Sequence, residues 1–269
     1  MTQKLAWLTD IHLEMVAQSR LDALLREIRN HDVDALLIGG DIADANTLGL
    51  HLLKIADALK IPMYFVLGNH DYYGADIPQV RHTAKLLTDK NPYLFWLPQT
   101  GVVELSTTTA LVGHGGWSDG GYGNFMQSEI MLNDYVHIKS LITDDKAERL
   151  AKLKNLGEDA ADCLRPLLEK ALNDYEHVYV LTHSPPFIEA CWYEGKTPAL
   201  DDAYLPHFTC KVIGDLLLEV ATTHPDKTIT VLCGHTHGSG TAQIRPNLEV
   251  ITGGAEYENP LIQQIITVS

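Results

Sequence analysis

The chain has few cysteines, no basic runs and no long apolar stretch. Its four cysteines (Cys163, Cys191, Cys210 and Cys233) form no CxxC pair, which argues against a disulfide framework and for reduced, buried thiols in a cytoplasmic setting. No run of lysine and arginine occurs, and the formal net charge is −15. The basic patch or stripe of a bulk nucleic-acid binder is therefore missing. No apolar run reaches the length of a membrane span. The first segment, Lys4 to Thr9, is already strand-like, without a basic-apolar-small leader pattern. Internal repeats, low-complexity tracts and linkers are absent as well. A soluble, cytoplasmic protein with one domain over residues 1–269 is the expectation. Hydrophobic content of 45% with 20% charged residues leaves material for a substantial core.

What the sequence does have is one construction used five times, an apolar strand that ends in metal-ligand side chains. Leu5-Ala6-Trp7-Leu8-Thr9 runs into Asp10-Ile11-His12. Residues two apart on an extended segment point to one side, so Asp10 and His12 can reach one ion. Ala35 to Ile38 ends in Gly39-Gly40-Asp41-Ile42-Ala43-Asp44, whose paired glycines let the backbone turn and bring Asp41 to a neighbouring strand end. Pro62 to Leu67 stops at Gly68-Asn69-His70-Asp71, an amide, an imidazole and a carboxylate that can orient that imidazole. Val178 to Thr182 leads to His183-Ser184-Pro185-Pro186, and Thr228 to Cys233 leads to Gly234-His235-Thr236-His237. Each block alone reads equally well as a capped turn beside a hydrogen-bonded histidine. Five of them, all at strand ends, predict a metal centre.

Between the blocks, the spacing predicts helices over Leu21–Asn30, Asn46–Lys60 and Pro78–Thr88. Strands alternating with helices over short connections predict parallel crossovers, with ligands gathered beyond the carboxyl ends of the strands. Val102–Leu105 and Thr109–Val112 read as a hairpin of a second sheet. Residues 126–142 and 145–175 read as helical, the second kinked or broken near Gly157 or Pro166. A helix over Lys211–Thr223 follows, then closing strands within 242–268 with turns at Pro246-Asn247 and Gly253-Gly254. Loop insertions near 113–126 and 184–207 read either as walls of a site or as open surface turns.

In their order, these blocks resemble the pattern of the calcineurin-like metallophosphoesterase superfamily: DxH, GDxxD, GNH[DE], a lone histidine after a strand, and GHxH. The resemblance runs from Asp10 to His237. It implies an α/β (α+β) fold, a four-layer αββα sandwich of two mixed sheets flanked by helices. It implies one metal held by Asp10, His12, Asp41 and His237, and a second held by Asp41, Asn69, His183 and His235. Donors of oxygen and imidazole without thiolate suit two manganese, iron or zinc ions. The activity implied is metal-dependent hydrolysis of a phosphate mono- or diester by in-line attack of a metal-bridging hydroxide. His70 would protonate the leaving group and Asp71 would orient His70. The partner would be a small anionic phosphorylated molecule. The alternative is a catalytically idle scaffold of the same fold that binds partner proteins; such members typically lack the histidine present here at position 70. The HxH opening of barrel amidohydrolases and the HxHxDH run of metallo-β-lactamases do not occur.

Overall fold

Near-continuous apolar runs such as Leu5–Leu8 and Ala35–Ile38 can satisfy both faces of a strand only if each face is covered. The computed structural model describes residues 2–269 and covers both. The elements follow in chain order as β1 (Gln3–Leu8), α1 (Gln18–Asn30), β2 (Ala35–Ile38), α2 (Leu48–Leu59), β3 (Met63–Phe65), α3 (Ile77–Lys90) and β4 (Leu94–Trp96). Then come α4 (Leu97–Thr100), β5 (Val103–Glu104), β6 (Thr109–Gly113), α5 (Asp134–His137), α6 (Lys146–Asp174) and β7 (His177–Leu181). The last are α7 (Leu205–Phe208), α8 (Lys211–Thr223), β8 (Thr228–Cys233), β9 (Gly240–Arg245), β10 (Leu248–Thr252) and β11 (Gln264–Val268).

The strands form two mixed sheets, ordered β11-β1-β2-β3-β4 and β5-β6-β7-β8-β10-β9. Pairs β1–β2, β2–β3 and β3–β4 are parallel, and β11 runs antiparallel to β1. In the second sheet β6, β7, β8 and β10 are mutually parallel, with antiparallel β5 and β9 at the edges. The period-2 alternation of each strand separates the layers. Leu5 and Trp7 of β1, Leu37 of β2, Leu111 of β6 and Leu232 of β8 meet in the core between the sheets. Ala6, Leu8, Leu36 and Ile38 face the other way, onto Leu24 and Ile28 of α1 and Leu52 of α2. Val178, Val180, Ile229 and Val231 likewise pack on Leu164 and Leu168 of α6 and Leu217 of α8. The expected four-layer arrangement is present, and the strand ends bearing the five blocks come to one side.

Two local expectations need correction. Residues 126–142 form no continuous helix; only α5 is α-helical, followed by a 3-10 turn at Lys139–Leu141. Met126, Met131 and Val136 are exposed, so their spacing marks no buried stripe. Ser128 Oγ accepts from Ile130 N at 3.2 Å, a local bond that competes with a helix, and donates to Ala203 O at 2.8 Å, which ties the segment to a distant part of the chain. Conversely, α6 runs unbroken for 29 residues with Pro166 inside it. Burial of Leu164, Leu168, Ala171 and Leu172 holds the helix across that proline. Gly157 marks a close approach rather than a kink, since a Cβ there would lie 2.8 Å from Asp119 Cβ. The turn at Pro246-Asn247 lies where the sequence puts it, between β9 and β10.

Candidate metal centre

The loops after the strands zip onto one another through backbone bonds. Asp10 N donates to Gly40 O at 3.1 Å, His12 N to Asp41 O at 3.0 Å, and Gly234 N to His183 O at 3.0 Å. Glycine is required where this contact is tightest: a Cβ on Gly234 would stand 1.9 Å from Asp10 Oδ2. Asp10 and His12 do converge, but not along extended backbone as the two-residue spacing suggested. Asp10 (φ 51°), His12 (39°), Asp41 (48°), His235 (73°) and His237 (58°) all adopt left-handed backbone. Each such non-glycine residue costs on the order of 1–3 kcal/mol, and such strain gathers at functional sites. The surrounding zipper of backbone bonds holds them there.

Asp10, His12, Asp41 and His237 each bring one ligand atom within 4.8 Å of the others. His12 Nε2 faces His237 Nε2 at 3.1 Å, and His237 Nε2 lies 3.6 Å from Asp10 Oδ1. Two donors each about 2.1 Å from a shared ion stand roughly 3.0–3.5 Å apart, so this spacing suits a common cation. A second group gathers beside it. Asn69 Oδ1 lies 3.0 Å from His183 Nε2 and 2.9 Å from His235 Nδ1. His183 Nδ1 donates to Gly39 O at 2.9 Å, which turns Nε2 inward as the atom that would bind a cation once it carries no proton. The two groups meet at Asp41, whose Oδ1 is 3.4 Å from His183 Nε2 while its Oδ2 is 3.8 Å from His12 Nε2. All seven residues singled out in the sequence as ligands are thus brought together.

Electrostatics draw positive charge to this point. Burial opposes ionisation of Asp41, yet His183, His70 and His12 together hold its carboxyl well below the usual range. Burial works against a charged His183 too, but Asp41 and Asp10 raise its pKa to about 10. His235 is pushed down to about 3 by burial and by His183. A multivalent cation satisfies the same carboxylates without protonating an imidazole, so the donor set fits a metal ion.

A family model described as "Calcineurin-like phosphoesterase" matches residues 3–239. The chain belongs to that family. The chain is 34% identical over 80 residues to a transmembrane protein with metallophosphoesterase domain from Danio rerio, a match covering 28% of this chain and 18% of that protein. The match therefore spans just under a fifth of this relative's length. Among solved structures it is similar to a phosphopantetheinyl hydrolase from Mycobacterium tuberculosis, with TM-score 0.66, 11% identity and coverage of 95% and 90% of the two chains. It is also similar to a dimetal phosphatase from Danio rerio, with TM-score 0.59, 15% identity and coverage of 98% and 91%. These structural likenesses speak for the fold. Among the described residues of the chain, no helix is long and apolar enough to cross a membrane.

Two site residues differ from expectation. Asp71 does not reach His70: its Oδ1 accepts from Ile42 N at 2.9 Å and Ala43 N at 3.0 Å, and its Oδ2 from Gly68 N at 2.7 Å. Adjacency in sequence hid this, because the 3-10 turn at His70–Tyr72 sends neighbouring side chains in different directions. Asp71 ties two ligand-bearing loops together, and burial with the nearby Asp41 charge pushes its pKa up to about 7. His70 instead stacks on Tyr73, ring centroids 4.2 Å apart, and meets His12 edge-on at 4.6 Å. The residue that sequence reasoning missed is Asp134. Buried, it accepts from Asn69 Nδ2 at 2.8 Å and Tyr73 Oη at 2.7 Å. It lies in the segment misread as helix, and nothing in its spacing marked it.

Proposed function

We propose that this phosphoesterase is a dinuclear metal-dependent phosphohydrolase acting on a phosphate mono- or diester. The observation that carries the reading is the division of Asp41, one carboxylate oxygen toward each of two donor groups. Asp10, His12, Asp41 and His237 would hold one ion, and Asp41, Asn69, His183 and His235 the other. Manganese, iron and zinc all suit these donors. Two such ions would polarise a phosphoryl group and acidify water.

The chain's own residues supply the rest. A cleft of about 340 Å³ opens over the centre, lined among others by His70, Tyr73, Tyr193, Phe208 and Tyr257. Among the described residues no lysine or arginine lines it, so the substrate's charge would be met by the cations and imidazoles. His70 reaches this cleft, and its backbone N–H donates to Asp41 Oδ1 at 2.8 Å. Its imidazole is the group placed to give a proton to the departing alkoxide oxygen. The aromatic side chains shield that transfer from water and offer flat surfaces to the substrate's organic part.

The test is hydrolysis by the manganese-loaded protein of p-nitrophenyl phosphate, bis-p-nitrophenyl phosphate, cyclic nucleotides and nucleotide-sugar pyrophosphates. Turnover of at least one ester is expected, falling at least a hundredfold in His70→Ala with metal content retained. Two bound metals with no hydrolysis of any would favour a binding scaffold instead.

A further inference from the structure

We infer that Asp134 is the positioning residue of the centre, holding Asn69 in its ligating orientation and, through Tyr73, holding the plane of His70. This rests on the reading of Asn69 as a ligand and His70 as the proton donor. A primary amide has two ends of nearly equal shape, and only the oxygen end can bind a cation. The end that faces inward is set by what stands behind the other. Here Asn69 Nδ2 donates to Asp134 Oδ1 at 2.8 Å, and Asn69 Oδ1 is thereby turned to His183 Nε2 at 3.0 Å and His235 Nδ1 at 2.9 Å. Asp134 Oδ1 accepts from both Asn69 Nδ2 and Tyr73 Oη, and an oxygen already taking two donors offers no proton to an inverted amide oxygen, so it disfavours the flipped amide.

The same oxygen takes a second donor, the Tyr73 hydroxyl at 2.7 Å. The Tyr73 ring lies on His70 at 4.2 Å with 25° between planes. Asp134 thus serves His70 through an aromatic plate, the orienting task that Asp71 does not perform. Its own position is fixed from both sides of α5. Gly74 N donates to His137 O at 2.9 Å, Lys139 N donates to Ala75 O at 3.1 Å, and Tyr135 Oη is 2.6 Å from His207 Nδ1.

The test compares Asp134→Leu, Asp134→Asn, Asn69→Asp and the inverted pair Asn69→Asp with Asp134→Asn. Each is assayed for manganese per chain by equilibrium dialysis and for kcat and KM, with circular dichroism as the check on folding. Asp134→Leu should bind one of two manganese ions about 10–100-fold more weakly, the usual effect of losing a partner behind a metal ligand, and should lose kcat more than KM. Asp134→Asn, which keeps an acceptor oxygen, should be milder. Asn69→Asp alone sets two acceptors face to face and should lose the same ion. The inverted pair restores a donor-acceptor contact and should recover it, an outcome that a merely structural Asp134 would not give. Both ions retained and kcat unchanged in folded Asp134→Leu, or an inverted pair no better than Asn69→Asp, would overturn the inference. A wild-type chain that fails to bind two ions would instead remove the metal centre itself.

Discussion

The Nε2 atoms of His12 and His237 face each other at 3.1 Å, joining residues 225 apart in the chain. Two lone pairs so placed need either a proton on one of them or a cation between them. Cation binding should therefore stabilise the fold. At free manganese a hundred times its dissociation constant, the linkage gives about 2.7 kcal/mol. Chemical denaturation with and without manganese measures it. His237→Leu should lose the share of the ion that His237 would hold and keep that of the second; an undiminished total would place the first ion elsewhere.

Asp71 gives a prediction opposite to its sequence-level role. Its carboxylate caps the backbone N–H groups of Ile42, Ala43 and Gly68. In Asp71→Asn an amide NH₂ must meet at least one of these donors head-on. Leaving a buried donor unsatisfied costs about 1–3 kcal/mol, so metal-free stability should fall by about that much. Unchanged stability with a selective loss of kcat would instead restore the pairing with His70.

Gly68 sits where two loops touch. A Cβ there would lie 2.2 Å from Asp41 Oδ1 and 2.5 Å from Asp41 N. Backbone cannot yield as a flexible side chain does, so Gly68→Ala should cost at least about 2 kcal/mol and weaken metal binding. A variant within about 0.5 kcal/mol of wild type by urea denaturation would contradict the packing.

His114 supplies a pH dependence away from the metal ligands. Buried, it accepts from Gly116 N at Nδ1 over 3.0 Å, and burial, aided by Arg81, pushes its pKa down to about 3. The unfolded chain binds this proton near pH 6.5, the folded chain only near 3. The stability is thus full above pH 6.5 and is lost as pH falls toward 3, with a slope of about 1.4 kcal/mol per pH unit. His114→Asn keeps an acceptor at the Nδ1 position and should remove that share of the slope. An unaltered slope between pH 4 and 6 would show that His114 is not the group responsible.

The ligands were legible because each needed only a strand, a stop and a donor. Apolar runs mark strands, glycines mark stops, and Asp, Asn and His name the donors. The same runs called for strands covered on both faces and joined by parallel crossovers, while the four-layer sandwich itself came from the resemblance of the five blocks to a known family. The left-handed backbone at Asp10, His12 and Asp41 was hidden, because only glycine advertises such φ values in a sequence. Asp134 was hidden for another reason: its role exists only once the start of α5, which carries it, docks on Tyr73 and Asn69, a tertiary event with no local periodicity. Asp71 was misassigned because neighbours in sequence are not neighbours in direction.

The pairing of β11 with β1 has a consequence for the nascent chain. Trp7 meets Gln264 in that ladder, so during synthesis β1 waits for nearly the whole protein before its outer edge is covered. At about 5–20 residues per second, that interval is roughly 10–50 seconds. Through it, one side of the first strand offers unpaired backbone groups to any other extended chain. Slowing translation within the second sheet should lengthen this exposure and lower the soluble yield.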